Sequence, residues 1–378
     1  MTSCDFPENA VRQHSSSPQS ADAAALVSAF RSDVDQLTRR LMRQLCPPRN
    51  VLVVGGAGYI GSVLVRKLLA TNRKVTVLDD LIYDNGSSIA ALLDVPEFTF
   101  VRGDLCHEAI LERALAGVTD VVLLAALVGD PLCKKYPDLA RRVNHDGAKM
   151  LIDRLNGRGI DKFVFLSTCS NYGLRQDDTL ATEEAELNPK SLYAETKVAV
   201  EQHIIGNAAG LDFCPTILRA ATAYGVSDRM RFDLTVSEFA RTLATGEELL
   251  VYDEHTWRPY CHVDDISSAI ITVLDSPRSQ VCGEIFNVGS TSENYTKKMI
   301  VDALIPHAPG AVVTYKAGGF DPRNYRVSFE KIASKLGFAH KHSVKKCAPA
   351  LMNSIRSGLF GDVDLRRWFY GNYEVRNG

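Results

Sequence analysis

The fold of this chain is decided by the stretch NVLVVGGAGYIG, residues 50–61. Its first part, Asn50–Val54, is a short apolar run that predicts a buried strand, and Tyr59–Leu69 has the apolar spacing of a helix. Glycines at positions 56, 58 and 61 match G-x-G-x-x-G, which permits a tight turn, close approach of backbone to a pyrophosphate, and close helix–strand packing. The stretch therefore predicts a dinucleotide site at a helix N-terminus. Its predicted ligands are Gly55, Gly58, Tyr59, Ile60 and Gly61.

An aspartate selects between the two common dinucleotides. Asp79 ends the second predicted strand, Lys74–Leu78, and lies 18 residues after Gly61. A carboxylate at this place can bind a ribose 2′-hydroxyl and repels a 2′-phosphate, so NAD is predicted rather than NADP. Asp104 follows the next strand and can reach the adenine amino group, although a role as a helix N-cap explains it equally well.

Outward from this stretch, β-branched apolar runs alternate with segments of helical spacing. Repeated β-α units with near-continuous apolar strands indicate a parallel sheet covered on both faces. The predicted fold class is α/β: a Rossmann-type doubly wound parallel sheet with a smaller α/β substrate-binding lobe and an N-terminal helical extension. Further strands are predicted at Phe98–Arg102, Asp120–Ala126, Lys162–Thr168, Phe213–Arg219, Leu249–Tyr252, Glu284–Val288 and Val312–Tyr315. Further helices are predicted at Arg231–Thr245 and Ile266–Leu274.

The composition argues against several classes of protein. The 378 residues carry 43 Lys+Arg and 45 Asp+Glu, so no basic field favours a nucleic-acid partner. The hydrophobic content of 46% with 23% charged residues is that of a globular chain, not of a mainly disordered one. The longest apolar run, Val121–Val128, has eight residues, which is short of the ~18 that a membrane span needs. We therefore expect no nucleic-acid and no membrane partner.

The N-terminal residues and the cysteines complete the organisation. Residues 1–20 are rich in Ser, Pro, Asn and Gln and are predicted to be disordered, whereas Ala21–Leu45 has helical spacing that ends at a Cys-Pro-Pro sequence. Acidic residues precede any apolar stretch, which argues against a secretory signal. The nine cysteines are scattered and include no C-x-x-C pair, so neither disulfides nor a metal site is expected. A cytoplasmic location is predicted.

A tyrosine–lysine pair marks a candidate catalytic site. Tyr193 and Lys197 lie four residues apart, on one face of a predicted helix. An adjacent ammonium lowers the pKa of a phenol from about 10, so that a phenolate can take a hydroxyl proton at neutral pH. About one or two such pairs are expected by chance, so the spacing decides little by itself. The hydroxyl-rich turn Ser167–Gly173 supports the assignment, because it follows the carboxyl end of a predicted parallel strand and ligands bind outside such ends.

Together and in this order, the motifs resemble those of the extended short-chain dehydrogenases/reductases, in the group of nucleotide-sugar epimerases and dehydratases. The similarity runs from about Asn50 to about Phe338. The motifs are the glycine stretch, LDDL at 78–81, GDL at 103–105, AA at 125–126, VN at 143–144, the Ser167–Gly173 turn, Tyr193 with Lys197, and RPYCHVDD at 258–265. Each is weak by itself, and the set is specific for the family.

The resemblance implies roles for individual residues. It makes Tyr193 the base, places Thr168 at the family's Ser/Thr position, and makes Lys197 a ligand of the nicotinamide ribose as well. It places Arg258 and Arg323 on the nucleotide diphosphate, which suits planar guanidinium groups, although a surface position for Arg323 stays open. The further NAD ligands are Asp80, Leu105, Ala125, Ala126 and Asn144, and the further substrate contacts are Ser170, Asn171 and Thr222. His262 is expected to be structural.

The positions after Thr168 separate the reactions of this group. Relatives that eliminate water across C5–C6 carry Asp and then Glu there, whereas this chain has Cys169 and Ser170. Dehydration and decarboxylation are therefore disfavoured. The resemblance implies NAD-dependent epimerisation of a nucleotide-diphosphate sugar through a transient ketone, most simply at C4. Three alternatives stay open: an NAD(P)H-dependent keto-sugar reductase, a 3,5-epimerase-like enzyme that uses Cys169, and a non-catalytic member that binds a nucleotide or a partner.

These patterns divide the chain into four parts. Residues 1–48 form an N-terminal extension, and residues 49–225 form the NAD-binding domain with a return segment at about 259–289. Residues 226–340 form the substrate-binding lobe, and residues 341–378 form a C-terminal extension. The resemblance also implies a homodimer. The sequence leaves the purpose of the two extensions open.

Overall fold

The structure is a computed structural model that describes residues 48–175, 179–319 and 323–376. The predicted disordered segment 1–20 and the predicted helix Ala21–Leu45 lie outside the described residues, in a separate unit, Met1–Pro48.

The strands of the described residues are short runs rich in β-branched and aromatic side chains. They are β1 Asn50–Val54, β2 Lys74–Asp79, β3 Phe98–Arg102, β4 Asp120–Leu123, β5 Lys162–Thr168, β6 Leu180–Ala181, β7 Cys214–Ala220, β8 Thr222–Tyr224, β9 Leu249–Tyr252, β10 Trp257–His262, β11 Glu284–Val288, β12 Asn294–Thr296, β13 Val313–Lys316 and β14 Arg326–Val327.

The helices of the described residues connect these strands or pack in the lobe behind them. They are α1 Tyr59–Ala70, α2 Glu108–Ala114, α3 Asp130–Lys135, α4 Pro137–Arg141, α5 Ala148–Asp153, α6 Leu192–Asn207, α7 Thr235–Thr245, α8 Val263–Asp275, α9 Arg278–Val281, α10 Lys297–Leu304, α11 Glu330–Leu336 and α12 Val344–Arg356. A π-helical turn, Arg142–Gly147, joins α4 to α5.

The main sheet has seven parallel strands in the order β11-β7-β5-β4-β1-β2-β3. Its strand order reverses between β1 and β4, and the crevice outside the carboxyl ends at such a point is where ligands bind in this architecture. Val54 at the end of β1 is in register with Leu78 of β2 and Leu123 of β4, so the three strands end together at that crevice. The predicted fold class is confirmed.

Alternate residues of the central strand supply the cores on the two faces of the sheet. Val51 and Val53 pack in one buried cluster, and Leu52 and Val54 pack in the other, as the period of two in a strand requires. A third buried cluster forms the core of the smaller lobe, where α12 contributes Val344, Ala348, Leu351 and Met352. The C-terminal segment is therefore part of the folded body.

The described residues also form three small sheets, of which the one containing β8 and β10 contributes to the wall of the crevice. β8, β10 and β12 form one of them, β9 pairs with β13, and β6 pairs with β14. Within the described ranges, no helix is both long enough and apolar enough to cross a membrane.

Two predicted boundaries are wrong in ways that matter for the site. β4 ends at Leu123 rather than at Ala126, because the N–H groups of the next two residues both turn to the carbonyl of Val54. α7 begins at Thr235 rather than at Arg231, because Leu234 before it has an extended backbone. Both corrections turn predicted regular structure into loop at the edge of the crevice.

Candidate functional site

A cavity of about 870 Å³ occupies the crevice outside β1, β2 and β4. Most residues predicted from the sequence line it. They are Gly55, Gly58, Tyr59, Ile60, Gly61, Asp79, Asp80, Asp104, Leu105, Ala125, Ala126, Thr168, Ser170, Tyr193, Lys197, Thr222, Arg258 and Arg323. The cavity therefore joins the glycine stretch, the tyrosine–lysine pair and both predicted diphosphate arginines in one space.

The glycine turn is shaped for a phosphate group. Gly55 has φ +88°, and a Cβ there would lie 2.6 Å from the nitrogen of Ala125. The N-cap of α1 is Gly58, which has no side chain with which to satisfy the N–H groups of the first helical turn. Those groups and the positive end of the helix dipole fit the pyrophosphate of NAD.

Asp79 has the environment expected of a ribose ligand. Its carboxylate accepts the N–H groups of Ala57 at 3.0 Å and Leu81 at 2.9 Å. Burial raises the pKa of this carboxyl, and the two N–H groups oppose that rise. An ionised carboxylate has about four acceptor positions, so two are left for ribose hydroxyls.

Asp104 is held by two partners at the adjoining edge. It accepts the N–H of Cys106 at 2.8 Å and pairs with Arg142 at 2.5 Å. The N-cap of α2 is His107, so the alternative assignment of Asp104 as the cap of that helix is wrong. Its carboxylate fixes the turn before the helix and still lines the cavity.

Tyr193 and Lys197 lie in the first two turns of α6, whose N-cap Ser191 accepts the N–H of Ala194 at 3.3 Å. The Thr168 hydroxyl opposes the effect of burial on Tyr193 and lowers its pKa, and both side chains line the cavity. Lys197 Nζ donates to the carbonyl of Leu166 at 2.8 Å and lies 5.9 Å from the centroid of the Tyr193 ring. The helix thus presents both groups to the cavity.

The electrostatics of this pair differ from the prediction. Burial raises the pKa of Tyr193 and lowers the pKa of Lys197 to about 7. The cation that most lowers the Tyr193 pKa against this effect is Arg231, not Lys197. Burial outweighs the neighbouring charges because a phenolate without solvent is strongly disfavoured.

The structure does not bring three predicted residues to the cavity lining. Cys169 is 1% exposed and, in the turn that follows β5, donates its Sγ–H to the carbonyl of Arg219 at 3.1 Å. Burial raises the pKa of this thiol well above its ordinary value. Asn144, the second of these residues, accepts the N–H of Leu127 with its side-chain oxygen and donates its Nδ2–H to the carbonyl of the same residue.

Asn171 is the third of these residues. It is fully buried and donates to Ser167 Oγ at 3.1 Å and to Glu201 at 2.9 Å. Its amide belongs to a polar network behind the cavity, and the same network includes Arg219. Asn171 therefore supports the turn that carries Thr168 from behind.

The two arginines predicted on the diphosphate lie side by side. Arg258 donates to the carbonyls of Trp257, at 3.0 Å, and of Arg323. Arg323 itself pairs with Asp130 at 3.5 Å and lines the cavity, with 27% of its side chain exposed. The two arginines therefore place guanidinium groups on one side of the cavity.

Other cavity residues were missed by the sequence reasoning. They are Tyr83, Asn85, Asp130, Arg229, Arg231, Asp233, Glu238, Lys297, Asn372 and Tyr373. Charged residues at 229, 231 and 233 alternate with Met230 and Phe232, a period of two that argues against the predicted helix. For Asn372 and Tyr373, the cluster of aromatic residues at 368–373 is the available signal of a packed segment.

His262 lies outside the cavity lining. Its Nδ1 accepts the N–H of Asp264 at 3.1 Å, its ring stacks on His342 at 4.2 Å, and burial lowers its pKa to about 4. Asp264, Asp265 and His342 bring potential metal ligands within 4.8 Å of one another. Lys67 already pairs with Asp264 at 2.7 Å, and Asp265 accepts two backbone N–H groups, which gives this cluster a structural explanation.

Comparison with known proteins agrees with this geometry. The model of the NAD dependent epimerase/dehydratase family matches residues 51–289. A UDP-glucose 4-epimerase of Corynebacterium glutamicum is 29% identical over 314 residues, which cover 78% of this chain and 91% of the relative. A dTDP-glucose 4,6-dehydratase of Streptomyces griseus is 32% identical over 306 residues, which cover 77% of this chain and 89% of the relative.

Solved structures give the same result. The Thermus thermophilus UDP-glucose 4-epimerase in complex with NAD superposes with a TM-score of 0.71 at 28% identity, covering 81% of this chain and 99% of that one. A dTDP-glucose 4,6-dehydratase of Streptomyces venezuelae with NAD bound gives 0.72 at 28% identity, covering 82% and 98%. Epimerases and dehydratases are thus about equally similar to this chain.

Proposed function

Because the chain belongs to the NAD dependent epimerase/dehydratase family, we propose that it is an NAD-dependent nucleotide-sugar epimerase, most simply a C4-epimerase. The observation that carries the proposal is the environment of Tyr193. Thr168 and Lys197 share its cavity, and Ser170 occupies the cavity position where a dehydratase carries a carboxylate.

The chain's own groups account for the proton steps. Tyr193, whose pKa the Thr168 hydroxyl lowers, takes the proton of a ring hydroxyl and later returns it. NAD supplies a hydride acceptor and donor when bound. Lys197, buried and held by the Leu166 carbonyl, stabilises the phenolate once the cofactor fills the cavity. Arg258 and Arg323 hold the nucleotide diphosphate while the sugar ring turns over.

Two carboxylates of the cavity, those of Asp130 and Asp233, do not replace the Asp and Glu that dehydratases carry at the positions after Thr168. Asp130 pairs with Arg323, and Asp233 pairs with Arg231 at 2.5 Å, so each is tied to a guanidinium. Burial raises the pKa of the Asp233 carboxyl, but Arg231 lowers it below its ordinary value, which makes Asp233 a poor proton donor. The 3,5-epimerase-like alternative needs a thiol in the cavity, and the buried position of Cys169 counts against it.

A nucleotide-sugar screen tests the proposal. We expect the purified protein to interconvert the C4 epimers of a UDP- or TDP-hexose without added cofactor and without a lasting change in absorbance at 340 nm. Tyr193→Phe should lower kcat by about 10²–10⁴-fold, because it removes the proton acceptor. Tyr252→Phe, at an exposed tyrosine, is the matched control and should keep full activity.

Two results would contradict the proposal. Loss of water from the sugar, read by mass spectrometry, would identify a dehydratase. Steady consumption of NADH or NADPH with substrate would identify a reductase. The homodimer and the cytoplasmic location stay predictions, and light scattering on the purified protein checks the first.

A further inference from the structure

Arg229 is a buried cation with no carboxylate bonded to it among the described residues. Its side chain is 2% exposed, and Nη2 donates to the carbonyls of Trp368 and Gly371, each at 3.3 Å. Its guanidinium carbon lies 4.3 Å from the centroid of the Tyr83 ring. Within the described ranges, Nε is buried without a hydrogen-bond partner. Because burial of an uncompensated charge is strongly unfavourable, this arrangement calls for an anion.

The segment that carries Arg229 is fixed to the phosphate-binding helix. Ser227 Oγ donates to the carbonyl of Tyr59 at 2.7 Å and lies 3.0 Å from Ser62 Oγ. The Tyr59 hydroxyl donates in turn to the carbonyl of Gly225 at 2.7 Å. These bonds hold the segment from Gly225 onward against the first turn of α1. Arg229 then enters the same cavity as the glycine turn.

The guanidinium is oriented by the C-terminal strap, which we define as residues Arg366–Arg376. Two carbonyls of the strap accept hydrogen bonds from Arg229. A third, that of Tyr370, accepts the N–H of Phe232 at 2.7 Å. Asn372 Nδ2 donates to the carbonyl of Val128 at 2.9 Å. The strap thus bonds to two different loops of the cavity wall and fixes the direction of the arginine.

Two diphosphates can enter this cavity, that of NAD and that of the nucleotide sugar. The attachment to Tyr59 and Ser62 places Arg229 at the cofactor end, and its charge lowers the pKa of Asp79, the predicted ribose ligand. Arg258 and Arg323 already supply cations where the family places the substrate diphosphate. The geometry therefore favours the cofactor.

We propose that Arg229 binds the pyrophosphate of NAD through a buried guanidinium that the C-terminal strap positions. A planar fork of N–H donors matches phosphate oxygens, and a water-excluded site strengthens the bond. This inference requires the NAD site of the family and not any particular sugar reaction, so it stands or falls separately from the proposed epimerase activity.

Calorimetric titration of NAD-stripped protein tests the proposal. Arg229→Gln should weaken binding of NAD and of ADP-ribose by about 10–100-fold, because a charged hydrogen bond is lost, and should leave adenosine binding unchanged. Arg229→Lys keeps the positive charge but not the planar fork of donors. Its NAD affinity should therefore lie between those of wild type and Arg229→Gln. Arg66→Gln is the matched control. It removes the exposed ion pair between Arg66 and Asp228, which are 3.1 Å apart, and Asp228 lies in the segment that carries Arg229. This variant should keep the NAD affinity.

The opposite results are equally defined. An NAD affinity within threefold of wild type in Arg229→Gln overturns the proposal, and so does an equal loss for adenosine, which reports general loosening. Loss confined to UDP or TDP moves Arg229 to the substrate diphosphate. If Arg229→Gln does not fold, as judged by circular dichroism, Arg229→Lys decides: unchanged NAD affinity then overturns the proposal.

The strap has its own test. Asn372→Ala removes its bond to Val128 and should raise the dissociation rate of NAD by about threefold, because the guanidinium is less firmly oriented. An unchanged rate, measured by stopped-flow displacement, would remove the positioning role from the proposal.

Discussion

Two buried arginines of this molecule have opposite surroundings. Arg219, in β7, is 3% exposed and bonds the Glu201 carboxylate through Nη2 at 2.7 Å and through Nε at 3.1 Å. It also donates to Tyr172 Oη at 3.1 Å. Arg229 is as deeply buried, and within the described residues its Nη2 donates to two neutral carbonyls.

Their acidities follow from these partners. Burial lowers the pKa of both guanidinium groups, but the Glu201 carboxylate reverses the effect at Arg219 and raises its pKa. At Arg229 burial prevails and lowers the pKa to about 10. A buried charge that the protein neutralises is part of the framework. One to which no carboxylate of the described residues is bonded identifies a place for a ligand.

The largest effect is expected on the framework side. Glu201→Gln leaves Arg219 buried without its carboxylate and should lower the free energy of unfolding by about 3–5 kcal/mol. Urea denaturation measures it. The double variant Arg219→Met/Glu201→Met is the control and should recover much of the loss, since it removes both charges. A cost below ~1 kcal/mol for Glu201→Gln would mean that the pair does not hold this part of the core.

Lys197 extends the comparison to a third buried cation. Its pKa of about 7, against ~10.4 in the unfolded chain, means that the unfolded state binds more protons between those values. Lys197→Met should therefore stabilise the NAD-free protein at pH 7 by about 2 kcal/mol, the ~4 kcal/mol of the shift less ~2 kcal/mol for the lost bond to Leu166.

The pH profile makes this second prediction specific. The cost of burying the lysine is fully present below pH 7 and is relieved as pH rises to ~10.4, so the advantage of Lys197→Met should shrink over that window. Denaturation of both proteins at pH 7, 8.5 and 10 checks it. A constant difference would show that the lysine charge is not the cause.

Arg229→Gln should have a smaller effect on the NAD-free protein. The change removes an uncompensated charge but also two bonds to carbonyls, so we expect a loss of about 1 kcal/mol or less. With saturating NAD the difference from wild type should widen, because ligand binding to the native state adds stability in proportion to the logarithm of its affinity. Thermal unfolding with and without NAD measures both values. A loss as large as that of Glu201→Gln would erase the contrast between the two arginines.

The smallest effect is expected at the surface. Arg66→Gln breaks an exposed ion pair and should change the free energy of unfolding by about 0.5 kcal/mol or less, with or without NAD. Screening by 0.5 M salt should have no further effect on the variant. A loss of ~2 kcal/mol would mean that the Gly225–Arg229 segment depends on this pair rather than on Ser227.

The regions that the sequence predicted well are those with local rules. β1, β3, β5, β9 and β11 have their predicted bounds, because each centres on β-branched, leucine or aromatic residues. The glycine turn and Asp79 were found because backbone conformation and strand ends restrict which residue types fit there. Tyr193 and Lys197 needed their order among other motifs, since their spacing is common.

The regions that were missed depend on contacts between distant parts of the chain. Arg229 received no role because nothing near it in sequence shows that Trp368 and Gly371 cover it. Cys169 was weighed as a catalytic group, although the structure buries its thiol against the carbonyl of Arg219 in another strand. Burial also reversed the expected pKa shift of Tyr193, and burial cannot be read from a four-residue spacing.

The contacts of the strap also determine at which stage of folding the cavity is completed. The bond between Asn372 and Val128 joins residues 244 apart, and the bond between Arg229 and Gly371 joins residues 142 apart. Closing loops of this length is entropically costly, so such contacts form late in folding. During synthesis the whole parallel sheet leaves the ribosome before the strap does. A nascent chain can therefore form its glycine turn early. Arg229, however, takes up its cofactor-binding orientation only after Asn372 has been translated.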